Sequence, residues 1–361
     1  MNIILFTATG AENLGDELIT LCEIEKLSAL KKDIKITLFS HSIDRTRRFL
    51  LSQKISLQNI TILEYFPNWI REKPLRNITL FYKTLKALYC CDKVYIGGGG
   101  LFYSKNDEWH SPLLLWWLRV TLVKFFKKPI TYLSLGISAC KEELSPYARW
   151  LFSKTTISVR DKKSQDVLQE IWFQWMILPD PVLNYIWKNN KKNGVKIIGI
   201  ALRKGFIADK VILDSISKLT SLWYEIFLLP HSLHPTDEAS HDGYYLQDFL
   251  LPGVMTAQTI EQTLEAYKKC HIIISLRLHS MILAIDYGIP FIGISYSKKT
   301  AMLLSESGWD YSFERDVQMD EIIWTIQKIE SEYDILVKKL ENIHKKFRET
   351  YSHNFEKILW K

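Results

Sequence analysis

Cysteine is scarce and shows no pairing pattern: Cys22, Cys90, Cys91, Cys140 and Cys270 form no CxxC pair and are odd in number. That argues against a disulfide framework or a closed zinc ribbon and fits reduced, mostly buried thiols. Glycine (15) and proline (11) are modest in a chain of 361 residues, which excludes collagen-like, low-complexity and disordered classes. No repeat with a period of roughly 20 to 50 residues is present, so solenoids and propellers are excluded too. The opening MNIILFTATG lacks a basic leader and a long apolar core; it reads as a first strand rather than a signal peptide, and secretion is not expected. No apolar run is long and clean enough to span a bilayer. The strongest candidate, SPLLLWWLRVTLVKFFKKP over 111–129, is short and is interrupted by Arg119 and Lys124. It reads as a core helix, with a membrane-surface helix as the alternative.

What is present describes a globular protein. At 47% hydrophobic and 24% charged, 361 residues can bury more than one ordinary core, which predicts two domains. The net charge of +7 is dispersed and points to anionic partners without choosing among nucleic acid, phosphorylated metabolites and an anionic membrane face.

Short aliphatic runs alternate with helical patterns, the signature of parallel βα units. Strands are expected near NIILF, IKITLF, ITILEY, KVYIG, ITYLSLG, TISVR and WMIL, then in a second series at VKIIGIAL, YEIFLLP, HIIISL and PFIGIS. The fold expected is α/β, with two doubly wound, Rossmann-like domains facing a cleft. The first runs over 1–184 and the second over 195–318, joined by the polar, Asn-rich stretch 184–194. One or two long amphipathic helices follow over 319–361 and are expected to return across the first domain.

In open parallel sheets ligands bind beyond the carboxyl ends of the strands, where helix N-termini offer free N–H groups. Four segments stand there. TATGAENLGDE (7–17) has Gly10 and Gly15 for tight turns, with Asn13 and Asp16 as capping or ligand-contacting groups, yet it matches neither a dinucleotide fingerprint nor a Walker loop. In VYIGGGGLF, Gly97 to Gly100 permit close backbone approach or an anion nest, or form a turn that merely packs strand on helix. Arg160 in SVRD and Arg203 in IALRKG suit a carboxylate or phosphate, with an ordinary salt bridge as the alternative; Asp161 reads as a helix N-cap. In HIIISLRLHSMILAIDYG, Arg277 and His279 fall at the junction of a buried strand and a helix that ends before Gly288. Arg277 supplies a permanent forked cation there, and His279 a group that exchanges a proton near neutral pH. A structural histidine is the competing reading.

The ordered set NLGDE, GGGG, VRDKKSQDVL, DPV, RLH and ISYSKK, spread over residues 13 to 299, resembles the polysaccharide pyruvyl transferase family. The resemblance implies a fold similar to GT-B glycosyltransferases and transfer of the enolpyruvyl group of phosphoenolpyruvate to a sugar, commonly as a pyruvate ketal, with release of phosphate. It implies His279 and Arg277 as catalytic residues and Arg160 and Lys299 as donor-binding residues; Arg203, at the equivalent strand end of the second half, is read as donor-binding with them. Asn13, Asp16, Gly98 and Gly99 in the matching motifs, and His231 in the His-rich loop, would bind the acceptor or line the cleft, and Asp180 matches the family's Asp-Pro. The family's frequent Asp-Pro between Tyr296 and Lys299 is Ser297-Lys298 here, and the loop LLPHSLHPTDEASHDG is unusually rich in His. Its His231, His234, Asp237 and His241 have no closed zinc spacing, so neither metal nor cofactor is expected.

The partners implied are phosphoenolpyruvate and a glycan or lipid-linked sugar acceptor, without nucleic acid. Location would be cytoplasmic, with peripheral contact to the inner face of the membrane through 111–129, Lys127 and Lys128. The alternatives are a GT-B nucleotide-sugar glycosyltransferase and a noncatalytic sugar-binding protein of a glycan assembly complex.

Overall fold

Among the described residues fourteen short strands, every pair of them parallel, build two separate sheets. The computed structural model describes residues 1–31, 33–66, 74–103, 112–185, 196–235 and 241–359. The chain divides into two compact units. One comprises Met1–Ala11, Asp16–Pro181 and Thr350–Lys361; the other comprises Glu12–Gly15 and Val182–Glu349. Most of the stretch expected as a linker, from residue 186 onward, lies outside the described residues. Of the segment 319–361, residues to Glu349 group with the second unit and Thr350–Lys361 with the first.

The first unit runs β1 (Asn2–Phe6), α1 (Leu14–Ser28), β2 (Lys35–Ser40), α2 (Ile43–Ser52), β3 (Ile60–Glu64), α3 (Pro74–Cys90), β4 (Lys93–Ile96), β5 (Gly99–Phe102), α4 (Pro112–Phe125), β6 (Ile130–Ile137), α5 (Lys141–Phe152), β7 (Thr156–Val159), α6 (Lys162–Glu170) and β8 (Met176–Ile177). Its strands order as β3-β2-β1-β4-β6-β7-β8, with β5 beside β6. Strand β6 is buried at all eight positions, as a strand covered by helices on both faces must be. One face gathers Phe6, Phe39, Tyr65, Phe102, Trp116, Tyr132 and Phe152 into a continuous aromatic core. Most of α4 packs into it: Leu113, Trp116, Val120 and Val123 are buried, the core-helix reading of 111–129. Arg119, which interrupts that apolar run, is buried with them. Its guanidinium lies 4.2 Å from the Tyr65 ring and 5.0 Å from Trp116, and its Nε donates to the Phe66 carbonyl at 3.3 Å.

The second unit runs β9 (Ile197–Ala201), α7 (Asp209–Ser221), β10 (Glu225–Leu228), α8 (Asp242–Gln247), β11 (Val254–Thr256), α9 (Ile260–Tyr267), β12 (Ile272–Ser275), α10 (Leu278–Tyr287), β13 (Phe291–Ile294), α11 (Lys298–Ser307), β14 (Ser312–Phe313), α12 (Met319–Ser331) and α13 (Tyr333–Leu359), the last of which passes into the first unit at Thr350. The strand order is β11-β10-β9-β12-β13-β14. Helix α10 ends as its sequence requires, with Gly288 in the left-handed region at φ 64°. Each sheet reverses its winding once, between β1 and β4 in the first and between β9 and β12 in the second. These are the points where open α/β sheets bind ligands. Cys22, Cys91 and Cys270 are buried, Cys90 and Cys140 exposed, and no two of these five form a disulfide.

Candidate active site

At the switch point of the second sheet, Arg203 stands two residues beyond β9 and Arg277 two residues beyond β12. Arg277 occupies the N-cap of α10, where its own N–H donates to Ser275 Oγ and that hydroxyl donates back to the Arg277 carbonyl, both at 3.0 Å. Its side chain is mostly buried. Nε donates to the Leu202 carbonyl at 3.2 Å, and Nη2 is ion-paired with Asp242 Oδ1. Two of the five guanidinium N–H groups are thus spent on orientation, which leaves donors for an anion.

Asp242 organises the surroundings. Its Oδ2 accepts the backbone N–H groups of His231 at 2.9 Å and Ser232 at 3.0 Å, so one buried carboxylate braces the loop after β10 and the Arg277 guanidinium together. Burial pushes its carboxyl up, against the opposing pull of Arg277 and of those N–H groups. His231 itself is buried, with its Nε2 2.6 Å from the Tyr267 hydroxyl, which donates to Ser280 Oγ at 2.6 Å. Since that hydroxyl proton goes to Ser280, Nε2 of His231 is the donor to Tyr267. Burial, then Arg277, then His279 hold the imidazole well below its ordinary range, so it is neutral. His231 therefore supports the site from within, and His241 caps α8 through the Tyr244 N–H at 3.2 Å. Among the described residues no three of His, Cys, Asp and Glu gather as a metal site requires; Asp237 lies outside them.

His279 sits in the first turn of α10, half-buried. The segment Glu12–Gly15 lies over it. Leu14 N donates to the His231 carbonyl at 2.8 Å, Leu233 N donates to the Glu12 carbonyl at 2.9 Å, and Asn13 bridges to Ser232. Asn13 Oδ1 also accepts the Gly15 N–H at 3.1 Å. A Cβ on Gly15 would fall 2.0 Å from His279 Nδ1, so the glycine of NLGDE is there because the histidine ring occupies the space of a side chain.

Arg203 donates from Nη1 to the Tyr296 hydroxyl at 2.9 Å, with its guanidinium carbon 5.2 Å from both the Phe206 and the Tyr296 rings. It is solvent-exposed, unlike Arg277. Lys299 is half-buried in the first turn of α11, whose N-cap is Ser297. The structure thus assembles Arg277, His279 and Asn13 around one helix N-terminus, with Arg203 and Lys299 on neighbouring strand ends.

The switch point of the first sheet carries a second polar cluster. Asp16 lies within the first turn of α1 and does not cap it; its Oδ1 is 3.0 Å from where a Cβ on Gly99 would stand. Two turns on, Glu23 Oε1 accepts the Gly98 N–H at 2.6 Å, and its Oε2 would be 1.9 Å from a Cβ on Gly97. Burial chiefly, opposed by the Gly98 N–H and aided by Asp180, lifts this carboxyl to about 8. Of the glycine run, Gly99 needs its residue type for conformation, at φ 89°, and Gly97 for space. Ser134 on the neighbouring β6 is held at φ 47° at a register shift, with its carbonyl 3.4 Å from a Cβ on Gly98. Arg160 is buried, with Nη1 2.8 Å from Asp180 Oδ2 and Nε 3.5 Å from Asp161 Oδ2. Burial alone would weaken its proton affinity; Asp180 and then Asp161 outweigh that and raise it. Asp161 is also the N-cap of α6, accepting the Ser164 N–H at 2.8 Å.

The polysaccharide pyruvyl transferase family model matches residues 13–298, most of the chain and, apart from Lys299, all the site residues just placed. The chain belongs to that family. It is therefore a transferase. Its fold is that of GT-B enzymes. UDP-GlcNAc 2-epimerase from Neisseria meningitidis aligns over 100% of both chains with a TM-score of 0.65 and 13% identity. Anabaena Alr3699/HepE, in complex with UDP and glucose, aligns over 99% of both with a TM-score of 0.63 and 11% identity. The lipopolysaccharide outer core galactosyltransferase WaaB covers 100% of this chain and 99% of its own, at 0.53 and 12%. A search of curated proteins gave no match.

Two buried carboxylates at the switch points of this pyruvyl transferase family member, Asp242 and Glu23, escape sequence reasoning. Asp242 is hidden in the His-rich loop, where only its position before Gly243 at a helix start marks it. Glu23 carries a clearer mark: it follows Ile19 by four residues and so falls on the apolar face of α1.

Proposed function

We propose that the chain transfers the enolpyruvyl group of phosphoenolpyruvate to a sugar of a polysaccharide or lipid-linked glycan precursor, forming a pyruvate ketal and releasing phosphate. The observation that carries the reading is the pairing of a braced, partly unspent arginine with a histidine at the N-terminus of α10. Arg277 is fixed by Asp242 and Leu202, and His279 is seated against Gly15. Arg277, with Arg203 and Lys299, would hold the donor's carboxylate and phosphate. Arg160 is already matched by two carboxylates, so its part in this proposal is to fix Asp180 and the strand ends of the first sheet. Asn13, Asp16, Gly98 and Gly99 are the proposed acceptor contacts.

The chemistry balances with two sugar hydroxyls. His279 as imidazolium delivers a proton to the methylene carbon, which becomes the methyl group, and the first hydroxyl oxygen bonds to the central carbon and returns its proton to the imidazole. The second hydroxyl oxygen then displaces phosphate, which leaves with the remaining proton. A matched acid–base group typically contributes about 10²- to 10⁴-fold. Phosphoenolpyruvate is a cytosolic metabolite, so the proposal carries a cytoplasmic location with it.

Calorimetry tests the reading. Phosphoenolpyruvate should bind and raise the melting temperature without added metal. His279→Gln should leave that affinity within about tenfold while abolishing turnover, and Arg277→Ala should weaken binding itself. Binding of a nucleotide sugar with none of phosphoenolpyruvate would make the chain a glycosyltransferase instead. Binding of a glycan alone would make it a noncatalytic sugar-binding protein.

A further inference from the structure

Helix α3 presents an apolar stripe to solvent. Leu75, Ile78, Tyr82 and Tyr89 are 79%, 66%, 67% and 75% exposed, and their spacing of three, four and seven residues places them on one side of the helix. The opposite side holds Asn77, Leu80, Thr84 and Leu88, which are buried, so α3 is already anchored to its sheet and the stripe plays no part in that. Helix α4 packs on the same face of the sheet, in the cluster that contains Leu88, and ends in Phe125, 79% exposed. Large apolar side chains gathered in this way mark an interaction surface.

Charge identifies what the surface fits. Neither α3 nor α4 contains an Asp or Glu. Arg76 is paired with Glu64, but Lys83 and Lys86 on α3 are exposed and carry no ion pair among the described residues. The turn after α4 adds two more cations at the far end of the stripe, because Lys128 Nζ donates to the Tyr89 and Cys91 carbonyls at 3.2 and 2.6 Å and brings Lys127 beside them. Asp92, the acid nearest in sequence to the Tyr89 end of the stripe, is tied to the Asn2 backbone N–H at 2.7 Å. An isologous contact between two copies would set lysines against lysines. A bilayer surface accepts both features: acyl chains take the apolar stripe, anionic headgroups take the lysines, and tyrosines suit the boundary between them. Among the described residues no helix is long and apolar enough to cross a membrane.

We propose that the outer face of α3, with Phe125 and the lysines of α3 and the α4–β6 turn, docks this protein on an anionic lipid bilayer. The docking residues are separate from Arg277 and His279, so the proposal stands or falls independently of the donor chemistry.

Flotation with phosphatidylcholine vesicles, with and without about a third phosphatidylglycerol, tests it. The protein should float with the anionic vesicles only, and less as salt rises. The double variant Ile78→Ser, Tyr82→Ser should lose at least about tenfold in vesicle affinity. Lys83→Gln and Lys86→Gln should each lose roughly fivefold. All four side chains lie in solvent, and phosphoenolpyruvate affinity should not change in any of these variants, which separates this proposal from the one above. Absence of flotation with anionic vesicles overturns it, as does flotation indifferent to both sets of variants. A dimer by light scattering that Ile78→Ser dissolves also overturns it, and assigns the stripe to a second copy.

Discussion

Replacing Glu23 by Gln should stabilise the protein relative to wild type as the pH rises. The carboxylate is taken out of water beneath Gly97 and Gly98, which lifts it from its ordinary 4.5 to about 8. The folded chain therefore binds this proton more tightly than the unfolded chain does. The resulting contribution is complete below about 4.5 and is lost as the pH climbs through about 8. At about 1.4 kcal/mol per pH unit, the whole span amounts to about 5 kcal/mol, a ceiling that local relaxation reduces. Gln keeps an oxygen for the Gly98 N–H, 2.6 Å away in the wild type, and carries no titrating group. The amide nitrogen takes the place of Oε2, which has no hydrogen-bond partner among the described residues, and adds a fixed cost of about 1 to 3 kcal/mol at every pH. Urea midpoints of both proteins measured from about pH 5 to about pH 9 isolate the difference, since every other titration is shared. The variant should start level with or below the wild type and move ahead by several kcal/mol across that range. Curves that run parallel in pH would refute the reasoning and show that Glu23 is ionised where it lies.

Gly15→Ala should cost at least about tenfold in turnover and about 1 to 3 kcal/mol in stability, because the new methyl would stand 2.0 Å from His279 Nδ1 and the ring must turn away; steady-state kinetics and thermal melting check both. Asp242→Asn sets an amide among groups that all donate, and should cost about 3 kcal/mol by urea unfolding while loosening Arg277 and weakening phosphoenolpyruvate binding by calorimetry. Arg160→Gln removes the guanidinium paired with the buried Asp180 carboxylate and should likewise cost about 3 kcal/mol by urea unfolding.

The central parallel strands were legible because they are buried on both faces and read as largely apolar runs, as HIIIS does for β12. Strand β5 was not, since Gly99 and Gly100 look like a loop and pair with β6 only by a shifted register. Strands β11 and β14, of three and two residues, are too short to show a pattern. At the candidate site, Arg277 and His279 stood out because polar groups are costly after a buried strand. Their supports did not. Asp242 reaches Arg277 across 35 residues, and Gly15 answers to a ring more than 260 positions away, so neither partnership has a local signature. The exposed stripe of α3 has no mark as plain as the apolar run of α4, of which Leu113, Trp116, Val120 and Val123 are turned inward.

The central claim is the transfer itself. Purified protein incubated with phosphoenolpyruvate and a set of glycan acceptors, with phosphate release and product mass followed together, tests it most directly. The account predicts phosphate released in step with an acceptor that has gained one pyruvate ketal, and neither product with His279→Gln. Phosphate release equal in the two folded proteins, or an acceptor modified by a nucleotide sugar and never by phosphoenolpyruvate, would contradict it.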